Sequence, residues 1–304
     1  MMRIDRRELL RQVGGAGLGL PLLAASGTRG EAGVPLLILD IHQHPDFDGR
    51  PAETLIRHQR FHRVKTTVLL PADGWMTGRI SGNEAAWSHV RRYPDEVVTF
   101  CNVDPEREDS TQVLREQLEK GARGIGEQKF EVDADSAPMR RVYEVAREYG
   151  VPVLLHFGSR HNHGLDRFHK VLERYPQVDF LGHAGTWWAN ISRDGEGRGR
   201  VVKGGLTDRL LSDYPNMFGD LSAGSGLNSL SRDPDFAADF VARHSRKLLW
   251  GSDCYCHDGR GATYPPGYCI AQRSLDRLRE YLPDPLMLRR ITYDNGARML
   301  RLRN

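Results

Sequence analysis

A chain of 304 residues with 39% hydrophobic and 27% charged residues has the composition of a globular protein with room for one large domain. Its net charge is +3, from 43 basic and 40 acidic residues, which gives no electrostatic basis for nucleic-acid binding. Four cysteines without Cys-x-x-Cys spacing exclude a disulfide scaffold.

The chain opens with Arg6-Arg7, two leucines, and a glycine-rich, mildly apolar stretch over residues 13–25. A basic start, a short apolar region and small residues afterwards read as an export signal. The paired arginines resemble the bacterial twin-arginine signal. About 13 apolar positions fall short of the roughly 20 needed to cross a hydrocarbon core, so no stable membrane span is expected. Residues 1–33 are therefore expected to be a signal and linker that engages the twin-arginine export machinery transiently. The protein is then periplasmic or secreted, and without export it is cytoplasmic.

From residue 34 onward strand-like and helix-like runs alternate. Residues 36–41 are an apolar strand, followed by a helix over 52–62, a strand over 66–70 and a helix over 83–92. A third strand covers 97–103. The next helix, 111–120, has Ser110 as its cap and Gly121 just beyond its end. Strand 122–130 is glycine-rich. Helix 136–149 is the clearest, with Ser136 as cap, an early Pro138, Met139, Val142 and Val145 on one face, and Gly150 as the stop. Strand 152–157, helix 165–175 and strand 178–183 continue the rhythm. Residues 186–205 interrupt it. A short helix over 207–213, a strand over 217–221, a helix over 235–244 and a strand over 247–253 follow. Two helices, near 270–281 and 286–300, end the chain.

Eight strands each followed by helical pattern, several of them continuous apolar runs, fit a parallel sheet buried on both faces. The fold expected over residues 34–304 is an α/β (β/α)8 TIM barrel, a single domain with C-terminal helices. A doubly wound open sheet competes, but the first strand ends in His-Gln-His-Pro where a Gly-rich phosphate loop belongs.

In such a barrel the chemistry sits at the C-terminal ends of the strands. Those ends carry His42 and His44 on strand 1, Glu127 and Lys129 on strand 4, and His156 on strand 5. His183 ends strand 6, Asp220 strand 7 and Asp253 strand 8. His42 and His44 are two apart and share one face of a strand. Two neutral imidazoles aimed at one point suit a divalent metal. A polar residue closing an apolar run, repeated on six strands, is not explained by solubility.

The motifs Asp40-Ile-His42-Gln-His44, Leu155-His156-Phe-Gly, Leu181-Gly-His183-Ala-Gly and Trp250-Gly-Ser-Asp253 resemble the amidohydrolase superfamily. More narrowly they resemble its amidohydrolase-related branch (amidohydrolase 2), which includes decarboxylases and lactonases. The resemblance covers about residues 36–301. It implies that His42, His44, His156 and His183 are metal ligands, and that Asp253 binds metal and handles the proton of the attacking water. It implies a bridging lysine or glutamate on strand 4 where two metals are held. Glu127 is the preferred ligand, since an unmodified lysine ammonium has no lone pair. Lys129 then binds an anionic group, and the reverse assignment stays open.

Histidines with a carboxylate suit Zn(II), one or two per chain, with Mn(II) or Fe(II) as alternatives. Such an ion lowers the pKa of bound water from 15.7 to about 7. The expected activity is a metal-dependent hydrolase acting on a small ester, lactone or amide. The alternative is a metal-dependent decarboxylase of the same superfamily. Arg160 is a candidate for a substrate carboxylate and Trp187 for a wall of the site. His161 and His163 are read as solvated or substrate-facing, and residues 193–205 as a candidate lid. Asp40, just before the histidine pair, either supports a metal-ligating histidine from behind or is a buried structural residue. Cys254, Cys256 and His257 are read as core or supporting residues, because no further thiolates are evident nearby in the sequence. The expected partner is a small-molecule substrate, and assembly into a homo-oligomer is left open.

Overall fold

The computed structural model describes residues 36–260 and 269–302. The expected export signal and linker, residues 1–33, lie outside the described residues. Eight short parallel strands follow in chain order: β1 Ile38–Gln43, β2 Val64–Leu69, β3 Val97–Thr99, β4 Ile125–Gln128, β5 Val153–His156, β6 Phe180–His183, β7 Met217–Asp220 and β8 Leu248–Leu249. They form two parallel sheets, β1-β2-β3 and β4 through β8 in sequential order. Backbone hydrogen bonds join the sheets at both seams. Cys101 N donates to Gly124 O (2.9 Å) and Gly126 N to Cys101 O (2.8 Å). On the other side Ile41 N donates to Trp250 O (3.2 Å) and Asp253 N to His42 O (2.8 Å). The fold is a TIM barrel.

The helices between strands are amphipathic, as expected from their periodicity. They are α1 Ala52–Phe61, α2 Asn83–Arg92, α3 Ser110–Glu119, α4 Ala137–Tyr149, α5 His169–Arg174, α6 Gly185–Ala189, α7 Leu206–Asp213, α8 Ala223–Ser231 and α9 Pro234–Arg243. The C-terminal segment contains α10 Ile270–Tyr281, α11 Pro285–Arg289, a π turn and α12 Asn295–Met299. In α4, Ser136 Oγ accepts from Met139 N (3.4 Å) and Gly150 takes the left-handed conformation at φ +60°, as expected. In α3, Ser110 lies inside the helix and Asp109 holds the cap position. Among the described residues no helix is long and apolar enough to cross a membrane.

Inside the ring Leu39, Ile41, Val68, Phe100, Leu154, Leu181 and Phe218 pack together. Tyr293, Ala297 and Leu300 of the C-terminal segment join this cluster. The register of β1 against β2 shifts between Asp40 and Gln43. A bulge of this kind re-aims side chains. It follows Leu39 and Ile41, which fill the barrel, and brings His42 and His44 into the polar cluster at the strand end. In β5 and β6, His156 pairs directly with His183, so the two histidines stand side by side.

Two sequence expectations need correction. Strand 8 ends at Leu249 rather than running to Asp253, because Trp250 N bonds to Ile291 O (3.0 Å) and the chain turns away from β7. Residues 193–205, read as a candidate lid, are tied down on the flank. Arg193 N donates to Val202 O (2.8 Å), and Val201 N to the Asp233 carboxylate (2.9 Å) at the start of α9.

Candidate metal centre

The strand ends converge on a buried cluster of imidazoles and carboxylates. His42 Nε2 lies 4.0 Å from Glu127 Oε2 and 4.0 Å from Asp253 Oδ1. His44 Nε2 lies 3.7 Å from Glu127 Oε2 and 3.5 Å from Asp253 Oδ1. His183 Nε2 lies 3.7 Å from the other oxygen of Glu127, Oε1. Two compact donor groups result: His42, His44 and Asp253, and His42, Glu127 and His183, which share His42. His156 reaches Glu127 Oε1 through a short hydrogen bond from Nδ1 and stands beside these groups rather than in them.

The outer faces of the histidines fix their tautomers. His42 Nδ1 bonds to Asp220 Oδ2 at 2.6 Å and His44 Nδ1 to Leu70 O at 2.7 Å. A carbonyl or carboxylate can only accept, so these Nδ1 atoms carry protons, and the neutral imidazoles that a metal requires present their Nε2 lone pairs inward. His183 Nδ1 faces Asp220 Oδ2 at 3.3 Å and Ser222 Oγ at 3.0 Å, and Ser222 Oγ donates to the same carboxylate at 2.9 Å. Asp220 therefore stands behind two histidines at once. Trp188 Nε1 donates to Asp220 O (3.1 Å) and fixes the backbone below.

Electrostatics favour a cation at this point. Burial disfavours a charge on His42, yet the carboxylates of Asp253, Asp220 and Glu127 raise its pKa to about 9. Burial, with His42 beside it, drives His44 down to about 3. His156 falls to about 4, again by burial first. Burial lifts Asp253 to about 6, partly opposed by His42 and His183. Glu127 stays well below the usual range: burial opposes this, but Lys129 and His156 prevail. His42 Nε2, Glu127 Oε2 and Asp253 Oδ1 are buried and have no hydrogen-bond partner among the described residues. Three orphaned polar atoms, two of them carboxylate oxygens, facing one small volume are costly for a protein alone. They fit a divalent metal held by neutral Nε2 and carboxylate oxygens.

Asp40 supports this centre through the backbone, without touching a histidine ring. Its Oδ1 accepts from His42 N (3.1 Å) and Ser252 N (2.8 Å), and its Oδ2 from Gln59 Nε2 (2.9 Å) and Ser252 Oγ (2.5 Å). Gly251 is required by close approach. A Cβ there would meet Asp220 Oδ1 at 2.8 Å and His42 Cβ at 2.9 Å.

Above the centre opens a cavity of about 380 Å³ whose lining includes His44, Asp253, Lys129, Phe47, Trp75, Arg79 and Tyr255. Lys129 Nζ stands 5.7 Å from the Trp75 ring centroid, so Lys129 is at the mouth while Glu127 is at the floor. Ala223 and Gly224 of α8 close one side. Two candidates from the sequence lie elsewhere. Arg160 is exposed and paired with Glu131 at 2.5 Å. Trp187 is fully buried and packs with Phe157 at 6.0 Å between ring centroids, in space that Gly182 leaves open. His161 stacks on Trp75 at 5.1 Å, and His163 pairs through its backbone with Asp133. The aromatic wall is thus made by Phe47, Trp75 and Tyr255, which carry no motif. Their only signal is position in the loops that follow β1, β2 and β8.

A family model described as Amidohydrolase matches residues 40–302. A search of curated protein sequences gives no match. Among solved structures, a probable 2-pyrone-4,6-dicarboxylic acid hydrolase from Acinetobacter baumannii, solved with citric acid bound, is similar at 14% identity and a TM-score of 0.60, covering 87% of this chain and 99% of that one. The 2,6-dihydroxybenzoate decarboxylase from Rhizobium is similar at 13% identity and a TM-score of 0.54, covering 88% and 99%. Dihydroorotase from Campylobacter jejuni is similar at 14% identity and a TM-score of 0.57, covering 88% and 84%. At these identities the likeness establishes the fold.

Proposed function

The chain belongs to the amidohydrolase family and is an enzyme of that superfamily, and from that premise we propose that it is a metal-dependent hydrolase of small anionic lactones, esters or amides. The observation that carries the reading is the double aspect of Glu127. Its Oε2 faces His42 and His44, while its Oε1 faces His183 and His156. A carboxylate with one oxygen toward each donor group suits a bridge between two metals, and a paired site favours hydrolysis. The ligands are His42, His44, Glu127, His183 and Asp253, with His156 orienting Glu127, and Zn(II) suits this donor set. When bound, such ions polarise a carbonyl oxygen and acidify water.

The chain's own residues supply the rest. Asp253, held near pH 6 by burial and open to the cavity, can take a proton from water and return it to the leaving group at neutral pH. Lys129 and Arg79 place positive charge at the mouth, where a substrate carboxylate can be fixed. Phe47, Trp75 and Tyr255 offer flat apolar faces. A pyrone is a lactone, so the dicarboxylic acid hydrolase among the neighbours has a name of the same chemical type.

Decarboxylation is the second reading, favoured by the same cationic mouth if only one metal is held and His183 is left free as an acid or base. Elemental mass spectrometry on the wild type and on a His42→Ala, Glu127→Ala double variant separates them. A loss of two metal equivalents per chain supports the hydrolase, which is then screened on lactones, esters and amides. A loss of one moves the reading to the decarboxylase. No difference in a folded variant overturns both. Export by the twin-arginine route belongs to the same proposal and rests on Arg6-Arg7 and the apolar stretch behind them. A reporter fused to residues 1–35 that stays cytoplasmic would remove it.

A further inference from the structure

The second concentration of metal-ligating side chains lies away from the barrel mouth. His58 of α1, Cys254 and Cys256 of the loop after β8, and Cys269 at the cap of α10 are all buried. Their ligand atoms lie within 4.8 Å of one another. The three thiols lie within residues 254–269, and His58 of α1, far away in sequence, completes the set. We propose that His58, Cys254, Cys256 and Cys269 form a closed, tetrahedral structural metal site of the Cys3His type, which takes Zn(II) and pins the loop that carries Asp253.

The distances carry the argument. Zn–S bonds near 2.3 Å and Zn–N bonds near 2.0–2.1 Å set tetrahedral edges of about 3.8 Å between sulfurs and about 3.6 Å between sulfur and nitrogen. Cys254 Sγ and Cys269 Sγ are 3.7 Å apart, and Cys269 Sγ and His58 Nε2 are 3.6 Å apart. Cys254 Sγ and Cys256 Sγ are closer, at 3.0 Å, and a modest rotation of either side chain opens that edge. All four cysteines of the described chain are free. The set has four ligands and no open position, which is the pattern of structural sites rather than catalytic ones.

Two neighbours complete the site. His62, at the C-terminal cap of α1, stands about one turn beyond His58, with its Nε2 3.5 Å from Cys269 Sγ. It is placed to donate a hydrogen bond to that sulfur, as residues behind metal thiolates do. Arg50 is buried, and its guanidinium is hydrogen-bonded to neutral oxygens: Cys254 O (2.6 Å), Gln43 Oε1 (2.7 Å) and His44 O (3.4 Å). A buried guanidinium wants a countercharge. Three thiolates and one imidazole around a dication carry a net charge of −1, adjacent to Arg50. Cys254 directly follows Asp253 in the chain, so this site anchors the metal-facing carboxylate from behind. It is independent of the activity proposed above.

The test uses the full-length protein loaded with Co(II) in place of its native metal. A thiolate-to-cobalt charge-transfer band in the near ultraviolet is expected, because the barrel-mouth ligands contain no sulfur. The band should disappear in Cys256→Ser and in Cys269→Ser and persist in Asp253→Asn. Each cysteine variant should hold one metal equivalent fewer than the wild type by elemental analysis and melt at a lower temperature. A wild-type protein without the band, or with the band unchanged in both cysteine variants, overturns the site. So does a Cys254–Cys256 or Cys254–Cys269 disulfide found by peptide mass mapping of the purified protein without reductant. These wild-type measurements do not depend on whether a variant folds.

Discussion

Asp220→Asn is the substitution that tests the architecture of the metal centre most directly. Asp220 touches none of the inward-facing nitrogens. Its Oδ2 takes His42 Nδ1 at 2.6 Å, His183 Nδ1 at 3.3 Å and Ser222 Oγ at 2.9 Å, and its Oδ1 takes Ser222 N at 3.0 Å. An asparagine must turn its NH2 to one of these sides. Turned toward Ser222 N it faces a donor, and one buried hydrogen bond is lost at a cost of about 1–3 kcal/mol. Turned toward His42 it faces Nδ1–H, and the imidazole must move its proton to Nε2, where the lone pair is needed. In both cases the carboxylate charge behind His42 and His183 is gone, which weakens metal binding while leaving every ligand in place. Loss of such an outer partner typically costs 10–100-fold in affinity, about 1.4–2.7 kcal/mol. The assay is competition for Zn(II) against a chromophoric chelator, with thermal melting of the chelated protein as a folding control. An affinity within threefold of wild type, in a variant that melts normally, would refute the claim that Asp220 sets the tautomers.

Metal binding should also displace protons in a pH-dependent way. His42, raised to about 9, is protonated at pH 7 and must lose its proton to ligate, whereas Asp253 at about 6 is already ionised there. Calorimetry in buffers of different ionisation enthalpy, on Cys256→Ser protein that lacks the thiol site, should therefore report about one proton released by the barrel-mouth ligands at pH 7 and about two at pH 5; a count of zero at pH 7 would contradict the assigned charge states. Gly251→Ala should destabilise the chelated protein by about 1–3 kcal/mol, because a methyl group there presses on Asp220 and His42 with no flexible side-chain end to give way. Chemical denaturation checks this, and a change below about 0.5 kcal/mol, in the range of an ordinary surface substitution, would show that the approach is looser than the distances imply.

The barrel was legible because strands buried on both faces read as apolar runs, Leu36-Leu-Ile-Leu39 most clearly. His42, His44, Glu127, His183 and Asp253 were legible for a related reason. A polar side chain that closes an apolar run conflicts with local pattern, and such conflicts collect at functional sites. What failed to show has physical causes. Helix α8 is written Ala-Gly-Ser-Gly-Leu-Asn-Ser-Leu-Ser, and its two glycines and three serines hide it from propensity. Gly226 is needed there, since a Cβ would fall 2.2 Å from Leu221 O. Trp187 follows a site motif directly, yet Gly182 makes room for its ring inside the core. Arg160 has a nearer acidic partner in Glu131 than any substrate. The cysteine cluster is completed by His58 from α1, and that contact exists only in space.

The loop from Trp250 to Cys256 shows how these pieces depend on one another. Asp253 takes φ +45°, a left-handed conformation that costs of the order of 1 kcal/mol or more for a residue other than glycine. Contacts on both sides offset that cost. Before it, Asp40 binds Ser252 through both N and Oγ. At Asp253 itself the amide donates to His42 O at 2.8 Å. After it, Cys254 O accepts from Arg50 and from Gln43 Nε2 (3.0 Å), while Gln43 also donates to Ser252 Oγ (2.7 Å). Asp40 stands two residues before the first histidine of the strand 1 motif and Gln43 directly after it, and the side chains of both serve the strand 8 loop. The two motifs are therefore halves of one device. His42 and His44 provide nitrogen donors, and Asp40 and Gln43 of the same motif hold the loop of the aspartate that faces those donors across the barrel. A change at Asp40 or Gln43 should accordingly be felt at Asp253 before it is felt at either histidine.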